Sequence, residues 1–130
     1  MGFTPKAPFN AKMVMIVDDD PSSALLLSRF LDHVGYRSVM VADGEAALEV
    51  IASGRDVPNL ILTDMLMPGM GGSQLLARLQ SAPTTKKIPV IILSGLERGE
   101  VAPERIGAQG YLKKPLHLDE LSSLINLHLN

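Results

Sequence analysis

The sequence has no cysteine and no tryptophan, and aromatic residues make up only 4% of it. Without cysteine, disulfides, thiolate metal sites and thiol nucleophiles are excluded, and the composition suits a reducing cytoplasm. With so few aromatics the core has to be aliphatic, built from Leu, Ile, Val, Met and Ala. There is no basic block: Lys and Arg number 12 against 14 Asp and Glu, a formal net charge of −2. That argues against a nucleic-acid surface. No apolar run approaches the roughly 20 residues needed to span a bilayer, so no membrane association is expected. The start of the chain lacks the basic-then-apolar order of a secretory signal. "MGFTPK" comes near a myristoylation signal, but Lys6 stands where Ser or Thr is required.

What is present suffices for one domain. The chain has 130 residues, 46% of them apolar, enough to bury a core without staples. Residues 1–11, "MGFTPKAPFNA", hold two prolines and a glycine and show no periodicity, which predicts a mobile arm before a domain over 12–130. From Met13 onward, apolar runs alternate with helical patterns. The runs are "MVMIV", "SVMVA", "LILT", "VIIL" and the short "GYL". The first four are too continuous for strands with one wet face and suit parallel strands covered on both sides.

The segments between them read as helices. Asp20–Pro21 is a cap followed by proline at the first helical position, and Ala24, Leu27, Leu31 and Val34 mark one face before Gly35. Asp43 to Gly54 shows a cap, an acidic first turn and a terminal glycine. Gly71 to Ala82 is a third helix, and Leu118 to Leu129 a last one, with Leu121, Leu124, Ile125 and His128 at helical spacing. Between Glu97 and Gln109, Gly99, Pro103 and Gly107 predict a fourth helix that is short or irregular. Strands alternating with helices imply an open, doubly wound α/β domain, with helices on both faces of a five-stranded parallel sheet. In such sheets ligands sit beyond the carboxyl ends of the strands.

Four strands end in polar residues. "MVMIV" runs into Asp18, Asp19 and Asp20; "NLILTD" ends in Asp64, "VIILS" in Ser94 and "GYLKK" in Lys113 and Lys114, followed by Pro115. If the strands are parallel, these groups converge on one rim. Clustered carboxylates need a cation among them, and oxygen ligands without cysteine or a histidine pair favour a hard ion, Mg²⁺ or else Mn²⁺. A lysine and a hydroxyl beside such an ion suit a phosphoryl group. One carboxylate would then be the nucleophile of an acyl phosphate.

The stretches "MIVDDDP", "LILTDMLMPGMGG", "VIILSG" and "GYLKKP", in that order, resemble the response-regulator receiver domains of bacterial two-component signalling, chemotaxis regulators among them, from Lys12 to the end of the chain. The resemblance implies a flavodoxin-like sheet of order 2-1-3-4-5. It implies Asp64 as phosphoacceptor, and Asp19, Asp64 and the Leu66 backbone carbonyl as Mg²⁺ ligands, with Asp18 holding the ion through water. Lys114 would pair with the phosphoryl group, Ser94 would be the switch hydroxyl, Tyr111 the switch aromatic, and the Lys114–Pro115 bond would be cis. The donor would be a phosphohistidine on a histidine kinase or histidine phosphotransfer protein. The domain would assist its own phosphorylation and slow dephosphorylation without being a turnover enzyme.

Plainer readings stand beside these. Asp20 reads better as the cap of the first helix than as a ligand, and Lys113 as a surface lysine. Tyr111 suits plain core almost as well as a switch. His33, His117 and His128 lack metal-ligand spacing, and the methionines at 13, 15, 65, 67 and 70 read as core filler. A phosphorylation-independent scaffold of the same fold is a second function class. An aspartyl-phosphate phosphatase is a third, disfavoured because Leu66 stands where those enzymes place a second acid. A flavin site lacks its phosphate loop and stacking aromatics. Leu66 and Leu96, two residues after the acceptor and the switch serine, would exclude water and predict a long-lived phospho-Asp64. The extra Leu127 of the last helix suggests a dimer surface or a helix leading into a linker. A stand-alone regulator and a piece of a hybrid kinase or larger regulator are both compatible with these motifs.

Overall fold

The computed structural model describes residues 4–130. Five strands, β1 (Met13–Val17), β2 (Arg37–Val41), β3 (Leu60–Asp64), β4 (Val90–Ser94) and β5 (Gly110–Lys113), form one sheet in the order β2-β1-β3-β4-β5. Every pairing is parallel. The helices are α1 (Pro21–His33), α2 (Gly44–Ser53), α3 (Gly72–Gln80), two single turns α4 (Arg98–Val101) and α5 (Pro103–Ile106), and α6 (Leu118–Leu129).

Strand periodicity divides the core in two, because alternate side chains point to opposite faces. Val14, Ile16, Leu62, Ile91 and Leu93 face α1 and α6, which contribute Leu27, Leu31, Leu121 and Ile125. Met15, Val17, Ile61, Val90 and Ile92 face the other side, meeting Ala47 of α2, Leu75, Leu76 and Leu79 of α3, and Val101 of α4. Each fully buried Leu or Ile contributes about 1.5–3 kcal/mol relative to exposure, so aliphatic side chains carry most of the core, with Tyr36 buried among them. β1, β3 and β4 are buried throughout, as their unbroken apolar runs require. β2 is not. It is half-buried, with Met40 47% exposed, because it lies at the sheet edge. An apolar run does not by itself distinguish an edge from a centre.

The caps are where the sequence pattern puts them. Asp20 accepts from the Ser22 N–H at 3.1 Å, and its other oxygen accepts from the Ser23 hydroxyl at 3.0 Å. Asp43 accepts from the Ala46 N–H at 2.8 Å. Gly54 ends α2 in the left-handed region at φ 74, a conformation glycine adopts without steric cost. The segment 97–109 is broken as expected: α4 and α5 meet at Ala102, whose φ of 49 makes it the one non-glycine residue at positive φ among the described residues. Pro103 opens the second turn, since its ring cannot sit inside a continuous helix.

The arm read as mobile is tied down in part. The Lys6 N–H donates to both oxygens of Asp32 at 2.8 and 2.9 Å, and the Ala7 N–H donates to Oδ1 at 2.8 Å. The Arg37 Nε donates to the Ala11 carbonyl at 2.9 Å. Residues 1–3 of the arm lie outside the described residues. The physical reason is Asp32 itself, a carboxylate in the last turn of α1, where the helix dipole disfavours it. It is 8% exposed, so it needs donors, and the arm's backbone supplies them.

Candidate phosphoacceptor site

The parallel sheet brings the polar strand ends to one rim. Asp18 and Asp19 follow β1, Asp64 and Ser94 end β3 and β4, and Lys114 follows β5. All five line one cavity of about 330 Å³, with Leu66 and Leu96 at its wall. Asp18, Asp64 and Ser94 are buried, whereas Asp19 is exposed.

Asp18, Asp19 and Asp64 each place a carboxylate oxygen within 4.8 Å of the others. No other such cluster of acidic or histidine side chains occurs among the described residues. The set fits a small hard cation. Oxygens about 2.1 Å from a magnesium ion lie about 3–4 Å apart across its octahedron, so modest side-chain adjustment closes the cluster around one. The Asp18 Oδ1 also accepts the Asp20 N–H at 2.9 Å, which fixes its orientation.

Lys114 Nζ lies 2.5 Å from Asp64 Oδ1. The Lys114 backbone N–H donates to the Ser94 carbonyl at 2.7 Å, so the cation is anchored to the end of β4. The Lys114–Pro115 peptide bond is cis. Burial pushes the Asp64 carboxyl up to about 6; the Lys114 ammonium opposes that rise, and the neighbouring Asp18 carboxylate adds to it. Three clustered carboxylates with one ammonium, paired to Asp64, leave the site short of positive charge, which a divalent ion would supply.

Ser94 Oγ accepts the Leu96 N–H at 3.0 Å. The Leu96 carbonyl in turn accepts the Tyr111 hydroxyl. Tyr111 is half-buried, packs on the α2–α3 side of the core, and has the Arg98 guanidinium 5.8 Å from its ring centre. The backbone of Leu96 thus joins the hydroxyl of Ser94 to that of Tyr111. Lys113 points away from the rim, as a surface lysine should, and pairs with Glu97. Leu66 is 71% exposed at the mouth of the cavity, and Leu96 is half-buried.

Two residues that sequence reasoning passed over also touch this site. The fully buried Thr63 hydroxyl donates to the Asp64 carbonyl at 3.0 Å, and Gly72 packs its bare Cα against the same carbonyl. A polar residue closing the apolar run "LILT" was the available signal for the first. The second closes the stretch "LILTDMLMPGMGG", which does not itself say what the glycine touches.

Comparison with known proteins agrees with this geometry. The family model "Response regulator receiver domain" matches residues 14–126. The chain belongs to the response regulator receiver domain family. Among similar proteins, the two-component response regulator ORR3 of Oryza sativa is 37% identical over 119 residues, covering 87% of each chain. The response regulator PleD of Caulobacter vibrioides is 36% identical over 105 residues, covering 79% of this chain. Some relatives are far longer: the chain spans 23% of PleD and 19% of the Arabidopsis thaliana protein ARR21. The receiver domain of a signal transduction histidine kinase from Syntrophus aciditrophicus superposes with a TM-score of 0.84 at 34% identity, over 92% of this chain and 90% of that one. Receiver domains thus occur in plant and bacterial proteins, and in kinases as well as regulators. No described helix of this receiver is long and apolar enough to cross a membrane.

Proposed function

We propose that this receiver accepts a phosphoryl group on Asp64 from a phosphohistidine of a histidine kinase or histidine phosphotransfer protein. The observation that carries this reading is the buried Asp64 carboxylate, held between the Lys114 ammonium at 2.5 Å and the carboxylates of Asp18 and Asp19. An Asp64 oxygen bonds to phosphorus as the P–N bond to the donor imidazole breaks, and the imidazole leaves with the electron pair. Asp64 must be ionised to attack. With its carboxyl at about 6, it is largely ionised at neutral pH and remains a competent base.

Asp18, Asp19, Asp64 and the Leu66 backbone carbonyl would hold Mg²⁺, or Mn²⁺ in its place. When bound, the ion supplies positive charge against the phosphoryl oxygens. Lys114 exchanges its contact with Asp64 for one with the incoming phosphoryl group. The Ser94 hydroxyl releases the Leu96 N–H and donates to another of the oxygens. Losing that bond frees the Leu96 backbone, to which Tyr111 is attached, so occupancy of the site biases the segment 96–106. The domain acts as a stoichiometric acceptor whose output is a changed surface.

Acetyl phosphate with Mg²⁺ tests this reading. Intact mass should rise by one phosphoryl group, and peptide mapping should place it on Asp64. Asp64→Ala should abolish the gain. Labelling that persists in Asp64→Ala, or a wild type that never gains mass, would overturn the proposal. A receiver acting purely as a scaffold would keep its partner binding in Asp64→Ala.

A further inference from the structure

The acceptor side chain is only as well placed as the backbone that carries it. Two contacts hold the Asp64–Met65 peptide. The Thr63 hydroxyl, fully buried in the last turn of pleat in β3, donates to the Asp64 carbonyl at 3.0 Å. The start of α3 also sits directly on the same atom. A Cβ built on Gly72 would lie 2.5 Å from the Asp64 oxygen and 3.1 Å from the Met65 Cα. The Gly72 N–H donates to the Met65 carbonyl at 2.9 Å, and a Cβ on Gly71 would meet that carbonyl at 3.0 Å. Gly72 is not at positive φ, so its backbone conformation does not demand glycine. Space does.

We infer that Gly72 and Thr63 are positioning residues for the acceptor, acting through the Asp64–Met65 peptide. The inference rests on the acceptor role proposed for Asp64. A methyl group at 72 overlaps a backbone carbonyl, which cannot swing aside as a flexible side chain would. The overlap is relieved only by lifting the α3 N-terminus or by rotating the 64–65 peptide. Either movement shifts the Met65–Leu66 segment against Asp64, and so changes the spacing of the Asp64 carboxylate and the Leu66 carbonyl, the two groups proposed as cation ligands from β3 and its loop. Thr63 guards against the same rotation from within the sheet. Its hydroxyl lies inside an otherwise apolar run, between Val17 and Ile92 in register, and the Asp64 carbonyl is its partner. Packing alone would be served equally well by valine.

Four proteins decide the matter: wild type, Gly72→Ala, Thr63→Val and Thr63→Ser. The readouts are Mg²⁺ dissociation constant by calorimetry, initial rate of acetyl-phosphate labelling at Asp64, and amide exchange at residue 72 in metal-free protein. Gly72→Ala should raise the Mg²⁺ dissociation constant and lower the labelling rate at least tenfold, with faster exchange at residue 72. Thr63→Val should weaken Mg²⁺ binding and labelling several-fold, and Thr63→Ser should restore both. If Gly72→Ala fails to fold, the Thr63 pair decides alone, since valine matches threonine in shape. Wild-type Mg²⁺ affinity and labelling in Thr63→Val and in folded Gly72→Ala would overturn the positioning role while leaving the acceptor reading intact. A wild type that is never labelled at Asp64 would overturn the acceptor reading itself.

Discussion

Lys114 Nζ lies 2.5 Å from Asp64 Oδ1, and the two residues differ sharply in exposure: the lysine side chain is 39% exposed and the aspartate 9%. The cation can therefore move to an incoming phosphoryl group at little desolvation cost, while the carboxylate stays fixed at the end of β3. The ammonium is also what restrains the rise of the Asp64 carboxyl caused by burial. Lys114→Ala should move the Asp64 carboxyl above its wild-type value of about 6 and slow acetyl-phosphate labelling at neutral pH by about 100- to 1,000-fold, the usual range for loss of one group that stabilises developing charge in a reacting site. A carboxyl titration by NMR in Lys114→Ala that stays at the wild-type value would show that the pair is incidental.

The same burial links stability to pH. The folded-state carboxyl of Asp64 lies above its ordinary value of 3.8, at about 6, so the folded protein holds this proton more tightly than the unfolded chain. The resulting stabilisation is full below pH 3.8 and is lost as pH rises through about 6. A shift of this size corresponds to about 1–3 kcal/mol. Metal-free Asp64→Asn should therefore be more stable than wild type at pH 7.5, by up to that amount, and the difference should close towards pH 4. Urea melts at pH 4, 6 and 7.5 measure it. A wild-type advantage at pH 7.5 would contradict the assignment.

The rim was legible because chemistry there is written in side chains at strand ends. Asp18, Asp19, Asp64, Ser94 and Lys114 each close an apolar run, and parallel topology leaves them no other place to go. The alternation of runs and helices established the fold class, and the motif order supplied the strand order. The edge position of β2 came only with the strand order that the resemblance implies, since "SVMVA" by itself is as apolar as a central strand. The hold on the arm was hidden: it depends on Asp32, an acid in an unfavourable helix position whose partners are backbone N–H groups 25 and 26 residues away. Gly72 was unreadable for a related reason, because its constraint is a carbonyl on another element.

Leu66 and Leu96 form the apolar wall of the cavity. Leu66 stands at the mouth, and neither side chain can orient a water for attack on an acyl phosphate. Leu66→Asn and Leu96→Glu should each speed loss of the phosphoryl group from Asp64 several-fold, and the pair together by more, since both line the one cavity. Phosphate release after removal of the donor gives the rate. If neither variant is faster than wild type, the wall does not limit hydrolysis.

Magnesium should relieve the crowding of Asp18, Asp19 and Asp64. Saturating Mg²⁺ stabilises the folded chain by linkage, by about 3 kcal/mol at a hundredfold excess over its dissociation constant. The melting temperature of wild type should rise with added Mg²⁺, and that of Asp19→Asn should rise much less, because one carboxylate of the cluster is gone. Equal rises in both proteins would place the ion elsewhere.

The bond from Asp32 to the arm makes a prediction far from the rim. Its carboxyl is held below the usual aspartate range, first by the Ala7 N–H and then by the Lys6 N–H. That contribution to stability is present above the unfolded-chain value and is lost as pH falls through the lowered folded-state value. Amide exchange at Lys6 and Ala7 should therefore be slow at neutral pH and accelerate in Asp32→Ala. Asp32→Asn, which keeps one carbonyl acceptor, should fall between them. The labelling rate at Asp64 should be unchanged in both variants, because the arm is fixed near the amino ends of the strands and the acceptor lies at their carboxyl ends. Exchange at Lys6 and Ala7 as fast in wild type as in Asp32→Ala would mean that Asp32 does not hold the arm in solution.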